Sequence, residues 1–149
     1  MGFNQFAFNN VGNPYDHSHI PFNCHPFEKE LIDRFGVIYG FSLDNIWGFL
    51  SHSGTDSNMH GLYMGRTILK NRAGVMPKIY FTKEAHYSIQ ILRDLLNLEW
   101  VVVGTLTDGS MDVADLERQL NAHPNHPALV VATIGTTFKG AIDPIDGIQ

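Results

Sequence analysis

The stretch IYFTKEAHYSIQILRDLLNLEWVVV, residues 79–103, decides the fold. Its β-branched and aromatic start predicts a strand over residues 79–81. Apolar residues then recur at helical spacing over residues 88–96, and WVVV at 100–103 predicts a second strand. A strand, a helix and a strand joined by short loops form a βαβ unit, in which the two strands run parallel.

The same alternation of strands and amphipathic helices continues on both sides of this unit. Downstream, Asp112 stands at the N-cap position of a predicted helix, and ALVVATI at 128–134 predicts a strand buried on both faces. Upstream, WGFLS at 47–51 predicts a short buried strand, and a helix is predicted over residues 55–71. Four strands alternating with three helices predict an α/β fold with a mainly parallel sheet and flanking helices.

The start of the chain differs from the rest. Residues 1–25 are rich in Asn, His, Pro and Gly, which predicts an irregular segment. A helix is predicted next, because Phe27, Leu31 and Phe35 recur every four residues and form one apolar face. Residues 26–149 therefore predict an α/β domain, and we expect it to be part of a larger one.

The composition excludes several classes of function. Lys and Arg number 10 against 15 Asp and Glu, a net charge of −5, so neither nucleic acid nor a membrane is an expected partner. Apolar runs reach only about half the length of a bilayer crossing, and the first ten residues lack the features of a signal peptide. Cys24 is the only cysteine, so a reducing, cytoplasmic setting is expected. His17, His19 and His25 lie near it without recurring ligand spacing, so no metal site is predicted.

The segment SHSGTDSNMHG, residues 51–61, carries the first candidate for a ligand site. Ser53, Gly54 and Thr55 follow a predicted strand at its carboxyl end, where ligands bind in open α/β sheets. Gly54 lets the backbone approach a ligand, and the first N–H groups of the following helix suit a phosphate. The alternative is that Ser53 or Thr55 only caps the helix. Neither a Walker A loop nor a GxGxxG fingerprint is present.

Two further loops follow predicted strands at their carboxyl ends. His86 precedes the helix at 88–96, where an imidazole can stack on a planar cofactor, transfer protons or simply cap the helix. GTTFKG at 135–140 places two hydroxyls and two glycines after the strand at 128–134, which fits either a ligand-facing loop or an ordinary one. Because the carboxyl ends of parallel strands meet at one edge of a sheet, we expect all three loops to face one site.

In this order, the three loops and their flanking elements resemble the pyridoxal-phosphate-dependent group II amino acid decarboxylases. The segments that carry the resemblance are WGFLSHSGTDSNMHGLYMGR at 47–66, IYFTKEAHYSIQILRDL at 79–95 and ALVVATIGTTFKGAIDPIDGIQ at 128–149. The likeness is strongest to bacterial histidine decarboxylases and plant serine decarboxylases. It implies that residues 26–149 are an incomplete large domain of the fold type I pyridoxal phosphate enzymes.

The resemblance also implies roles for individual residues. Ser53, Gly54 and Thr55 match positions that hold the cofactor phosphate. His86 matches the catalytic histidine that stacks on the pyridine ring beside the substrate, and Thr137 matches a threonine near the ring oxygen. The implied function is decarboxylation of an amino acid, with histidine the leading substrate, in a homodimer whose active site lies at the subunit interface.

Two residues that the family requires are missing from the 149 positions. One is the aspartate of an Asp-Ala-Ala segment, which pairs with the pyridine nitrogen, and the other is a lysine directly after a histidine, which binds the cofactor covalently. The lysines of this sequence stand in other contexts; they are Lys29, Lys70, Lys78, Lys83 and Lys139. We therefore expect an inactive fragment. The alternatives are another fold type I enzyme, such as an aminotransferase or a desulfurase, and a non-catalytic truncated product.

Overall fold

The structure, a computed structural model, describes residues 11–149. The chain divides into two compact units, Met1–His52 and Ser53–Gln149. None of the described helices is long and apolar enough to cross a membrane. The predicted domain from residue 26 onwards stays a prediction.

The first unit contains helix α1, His25–Ile38, and a 3-10 turn, Leu43–Asn45. Turns and bends but no helix or strand occupy residues 11–24. The irregular segment over 1–25 stays a prediction, and residues 1–10 of it lie outside the described residues. Glu28 is 6 % exposed, and its Oε1 accepts a hydrogen bond of 2.7 Å from the N–H of Leu50. This buried carboxylate joins α1 to the end of the unit.

One prediction for this unit is wrong and another is confirmed. No strand forms at 47–51, because no described strand pairs with it and the N–H of Leu50 donates to a side chain instead. The helix predicted from Phe27, Leu31 and Phe35 is confirmed as α1, and these three apolar side chains are exposed. Helical periodicity shows which side of a helix is apolar, and it does not show whether the chain supplies a surface to cover that side.

The second unit is built on a parallel sheet of three strands in the order β2-β1-β3. The strands are β1, Lys78–Thr82; β2, Trp100–Val103; and β3, Ala128–Val130. Its helices are α2, Gly54–Ala73; α3, Tyr87–Leu95; α4, Val113–Asn121; and α5, Ile145–Ile148. The mainly parallel sheet with flanking helices is confirmed, with three strands rather than four.

The length and the burial of β3 differ from the prediction. The expected strand over 128–134, buried on both faces, is reduced to the three residues of β3, and these are half-buried. The most buried strand is β1, in which residues 79–82 are at most 2 % exposed. The reason is position in the sheet, because β1 lies between two strands whereas β3 pairs only with β1 among the described residues.

Helices cover both faces of the sheet. Ile79 and Phe81 pack into one core cluster with residues of α2 and α3, whereas Tyr80 packs into a second with Leu116 of α4. Successive side chains of a strand point to opposite faces, so this division places α2 and α3 on one face and α4 on the other. Asp112 caps α4 as predicted, since its Oδ1 accepts hydrogen bonds from two N–H groups of the first turn.

Two glycines of α2 form a matched pair for a stability test. A Cβ on Gly65 would lie 2.7 Å from Leu129 Cδ1, whereas a Cβ on Gly61 would meet nothing within 4 Å. Alanine at position 61 is expected to stabilise the protein by about 1 kcal/mol through helix propensity. The same change at position 65 should gain clearly less, because Leu129 has to move. Urea unfolding of Gly61→Ala and Gly65→Ala measures the difference, and equal gains would contradict the close approach of α2 to β3.

Candidate functional site

The first loop of the candidate site is the start of α2. Ser53 is its N-cap, and Ser53 Oγ accepts a hydrogen bond of 3.2 Å from the N–H of Asp56. The N–H groups of Gly54 and Thr55 come before any possible intrahelical acceptor, so helix geometry leaves them for an acceptor outside the helix. Ser53, Gly54 and Thr55 are all exposed, and a Cβ on Gly54 would meet nothing within 4 Å. Ser53 therefore does cap the helix, and the N–H groups of Gly54 and Thr55 lie beside it on an open surface.

The second loop joins β1 to α3 and carries His86. The side chain of His86 caps α3: its Nδ1 lies 3.3 Å from the N–H of Ser88 and 2.9 Å from Ser88 Oγ. Its ring centroid lies 4.3 Å from that of Tyr87. His86 is nevertheless exposed, so the imidazole serves as a cap and still presents part of its ring to solvent.

The third loop, GTTFKG at 135–140, separates its two threonines. Thr136 is 3 % exposed, and its Oγ1 accepts a hydrogen bond of 3.0 Å from the N–H of Ala141. Gly135 and Gly140 take positive φ values of 92° and 64°, which close the loop. Thr137 is exposed. Thr136 thus holds the loop together, and Thr137 is the threonine left for an outside partner.

Two side-chain contacts tie the three loops together. Asn58 Nδ2 in the first turns of α2 donates a hydrogen bond of 3.1 Å to Ser88 Oγ, beside His86. Lys139 Nζ of the third loop lies 3.2 Å from Glu84 Oε1 of the second. These contacts join the start of α2 and the loop at 135–140 to the segment between β1 and α3, which follows the carboxyl end of β1.

A buried carboxylate that the sequence analysis missed supports the third loop. Asp143 is 1 % exposed, and it accepts hydrogen bonds of 2.7 Å from the N–H of Met111 at Oδ1 and from the N–H of Thr133 at Oδ2. One side chain therefore joins the segment after β2 to the two ends of the third loop. Its only signal in the sequence is an aspartate before a proline, which is typical of many turns.

The carboxylate of Asp115 in α4 has a similar supporting role on the neighbouring loop. Asp115 Oδ2 accepts a hydrogen bond of 2.6 Å from the N–H of Gly104, directly after β2. This hydrogen bond is the main reason why the pKa of Asp115 is lowered. Since only the ionised form accepts it fully, its contribution to stability depends on pH.

We expect the Asp115→Asn variant to be less stable than the unchanged protein by about 1–2 kcal/mol at pH 7. A carboxyl group whose pKa is lowered by folding stabilises the folded protein fully when the pH is above its unfolded pKa of about 3.9. This stabilisation is lost as the pH falls through the pKa of the folded state. The difference between the two proteins should therefore shrink below about pH 4. Urea unfolding at several pH values checks this, with Glu117→Gln on the exposed side of α4 as control. A difference that does not vary with pH would contradict the assignment.

Comparisons with known proteins bear on the family. No protein-family model matches the sequence. Histidine decarboxylase of Solanum lycopersicum is 35% identical over 144 residues, which are 95% of this chain and 33% of that protein. Serine decarboxylase 1 of Oryza sativa subsp. japonica is 33% identical over 141 residues, 95% of this chain and 28% of that protein. The chain belongs to the pyridoxal-phosphate-dependent group II amino acid decarboxylases. It spans about a third of the length of the curated relatives it matches.

The solved structures agree with this placement at the level of the fold. L-methionine decarboxylase from Streptomyces sp. 590 superposes with a TM-score of 0.85 at 20% identity, over 98% of this chain and 39% of that one. The sheet and flanking helices of this group II decarboxylase chain therefore have the same architecture as the matching part of L-methionine decarboxylase.

The described residues of this group II decarboxylase chain fit a phosphorylated cofactor at the start of α2. The N–H groups of Gly54 and Thr55 and the positive end of a 20-residue helix are the groups that a phosphate requires. The open space above Gly54 leaves room for it. Among residues 11–149, no group of three His, Cys, Asp or Glu side chains is placed to hold a metal ion.

Proposed function

We propose that this chain is the cofactor-phosphate-binding part of an amino acid decarboxylase that uses pyridoxal phosphate. The observation that carries the proposal is the convergence of three loops through the Asn58–Ser88 hydrogen bond and the Glu84–Lys139 ion pair. The capped helix start, the exposed imidazole of His86 and the exposed Thr137 belong to the segments that these two contacts join. The family membership supports the same function.

Each of the predicted site residues has a proposed task. The N–H groups of Gly54 and Thr55, with the hydroxyls of Ser53 and Thr55, would hold the phosphate. The exposed ring of His86 would stack on the pyridine ring and lie beside the substrate, and Thr137 would donate its hydroxyl to the ring oxygen. When bound, pyridoxal phosphate supplies an aldehyde that combines with the substrate amine and a ring that withdraws electrons while carbon dioxide leaves.

The substrate is proposed to be an amino acid, with histidine first. The relatives named above act on histidine, serine and methionine by their names, so the shared chemistry is the α-amino acid and the side chain varies. The homodimer and the cytoplasmic location implied by the resemblance stay predictions.

We further propose that residues 1–149 alone do not decarboxylate amino acids. None of the five lysines follows a histidine, and the lysine of the third loop, Lys139, is paired with Glu84. The test is incubation with pyridoxal phosphate and L-histidine or L-serine, followed by measurement of the amine. We expect none above a protein-free control, and amine formation that is lost in His86→Ala would overturn this proposal.

Cofactor binding is tested separately with pyridoxamine phosphate, which lacks the aldehyde and therefore does not react with lysine amines. Calorimetric titration should show one binding site that weakens at least tenfold in Thr55→Ala. Thr67→Ala, which removes a hydroxyl further along the same helix, is the control. It should bind pyridoxamine phosphate as the unchanged protein does. No binding at all, or equal binding by both variants, would contradict the proposed phosphate site.

A further inference from the structure

The imidazole of His86 is held by a short chain of polar side chains. Asn58 Nδ2 lies 3.1 Å from Ser88 Oγ, and Ser88 Oγ lies 2.9 Å from His86 Nδ1. Ser88 is 0 % exposed, and Asn58 is half-buried. The chain therefore runs from the first turns of α2, through a fully buried hydroxyl, to the exposed imidazole.

The N–H of Ser88 fixes the direction of this chain. It donates to His86 Nδ1 at 3.3 Å, so that nitrogen has to carry a lone pair and not a proton. The hydroxyl of Ser88 then donates to the same nitrogen while its oxygen accepts from the amide of Asn58. If Nδ1 carried the proton, two N–H groups would face each other and the buried hydroxyl hydrogen would lose its acceptor. The N–H and the hydroxyl of Ser88 thus share the single lone pair of Nδ1, and a protonated Nδ1 would leave both donors without it.

We propose that Asn58 and Ser88 are positioning residues that lock the neutral His86 in the tautomer with its proton on Nε2. The Nε2–H has no acceptor among residues 11–149, so it remains available as a hydrogen-bond donor at the edge where the three loops meet. The role of this donor rests on the proposed function: the Nε2–H would donate to an anionic oxygen of a bound amino acid or cofactor. The tautomer itself is a property of the chain without any ligand.

Other histidines of the protein provide an internal comparison. His123 Nδ1 lies 2.9 Å from the carbonyl oxygen of Gln119, and His126 Nδ1 lies 3.1 Å from that of Met76. A carbonyl oxygen only accepts, so these two Nδ1 atoms have to carry the proton. The proposal therefore predicts opposite tautomers for His86 and for His123 and His126 within one molecule.

Nitrogen-15 NMR of the uniformly labelled 149-residue chain tests this directly. Two-bond proton–nitrogen correlations distinguish the two neutral tautomers, and the spectrum is recorded near pH 8, above the ordinary histidine pKa of about 6.5. The signals of His86 are those missing from the spectrum of His86→Gln. We expect an unprotonated Nδ1 for His86 and protonated Nδ1 atoms for His123 and His126. A protonated Nδ1 on His86 in the unchanged protein would overturn the proposal.

Variants then test the chain of contacts. Ser88→Ala should raise the ratio of the Nδ1–H to the Nε2–H form about fivefold, the effect of losing one net hydrogen bond. Asn58→Ala should change it in the same direction by less, and Ser88→Thr should restore the original ratio. Ser110→Ala removes another buried hydroxyl, one that binds Asp108, and should leave His86 unchanged.

An unaltered ratio in both Ser88→Ala and Asn58→Ala would contradict the positioning role. The pyridoxamine phosphate titration is read independently, so its failure in the unchanged protein would count against the proposed function alone. A locked tautomer without cofactor binding would support this inference and contradict the proposed function. Cofactor binding without a locked tautomer would do the reverse.

Discussion

Replacing Asp143 with alanine is expected to lower the free energy of unfolding by about 2–5 kcal/mol, because one buried and one part-buried N–H group lose their acceptor. Those groups belong to Met111 and Thr133, each 2.7 Å from a carboxylate oxygen. In a protein of ordinary stability, about 5–15 kcal/mol, this is a substantial part of the total. The loop at 135–140 should also lose order, since Asp143 joins its ends to the segment after β2.

Asp146→Ala is the matched control, because Asp146 is an exposed acidic residue three positions further on. It should change the free energy of unfolding by less than about 0.5 kcal/mol. Urea unfolding followed by circular dichroism measures both variants. If Asp143→Ala and Asp146→Ala are equally stable, Asp143 does not organise this edge of the sheet.

The second large effect is expected on binding and not on stability. Gly54→Val should leave the free energy of unfolding almost unchanged, since a Cβ at this position meets nothing within 4 Å. It should weaken binding of pyridoxamine phosphate by at least tenfold, because the added side chain fills the space through which a phosphate would reach the N–H groups of residues 54 and 55.

Gly61→Val serves as the control for Gly54→Val, since its Cβ also meets nothing within 4 Å but lies two turns further along α2. Binding should be unaffected in that variant. Equal affinity of Gly54→Val and the unchanged protein in the calorimeter would mean that the phosphate, if it binds, does not approach the start of α2.

The sequence predicted the second unit better than the first, for a physical reason. The strand β1 and helix α3 are specified locally, because Ile79 and Phe81 supply strand residues and Ile89 and Leu92 supply a helical stripe that packs on them. WGFLS at 47–51 has the same apolar character, yet a strand also needs a neighbour with which to pair, and its pairing partner cannot be read from its own residues. The prediction that the strand at 128–134 is buried on both faces failed for the same reason.

The candidate site was predicted in part. Parallel topology accounts for the loops of His86 and Thr137, because each follows a strand of the sheet and strand ends meet at one edge. It does not account for Ser53, because the strand predicted before it did not form. The contacts that join the loops were not predicted. Asn58 and Ser88 are 30 positions apart and each belongs to an ordinary helix start, so only their positions in the folded chain reveal their pairing.

The central claim is that three separate loops contact one phosphorylated, planar cofactor. Backbone amide NMR during titration of the labelled chain with pyridoxamine phosphate tests it most directly. The account predicts saturable shifts at Gly54 and Thr55, at His86 and at Thr137 that all follow a single binding curve. Shifts confined to one of these loops, or separate curves for the three, would contradict it.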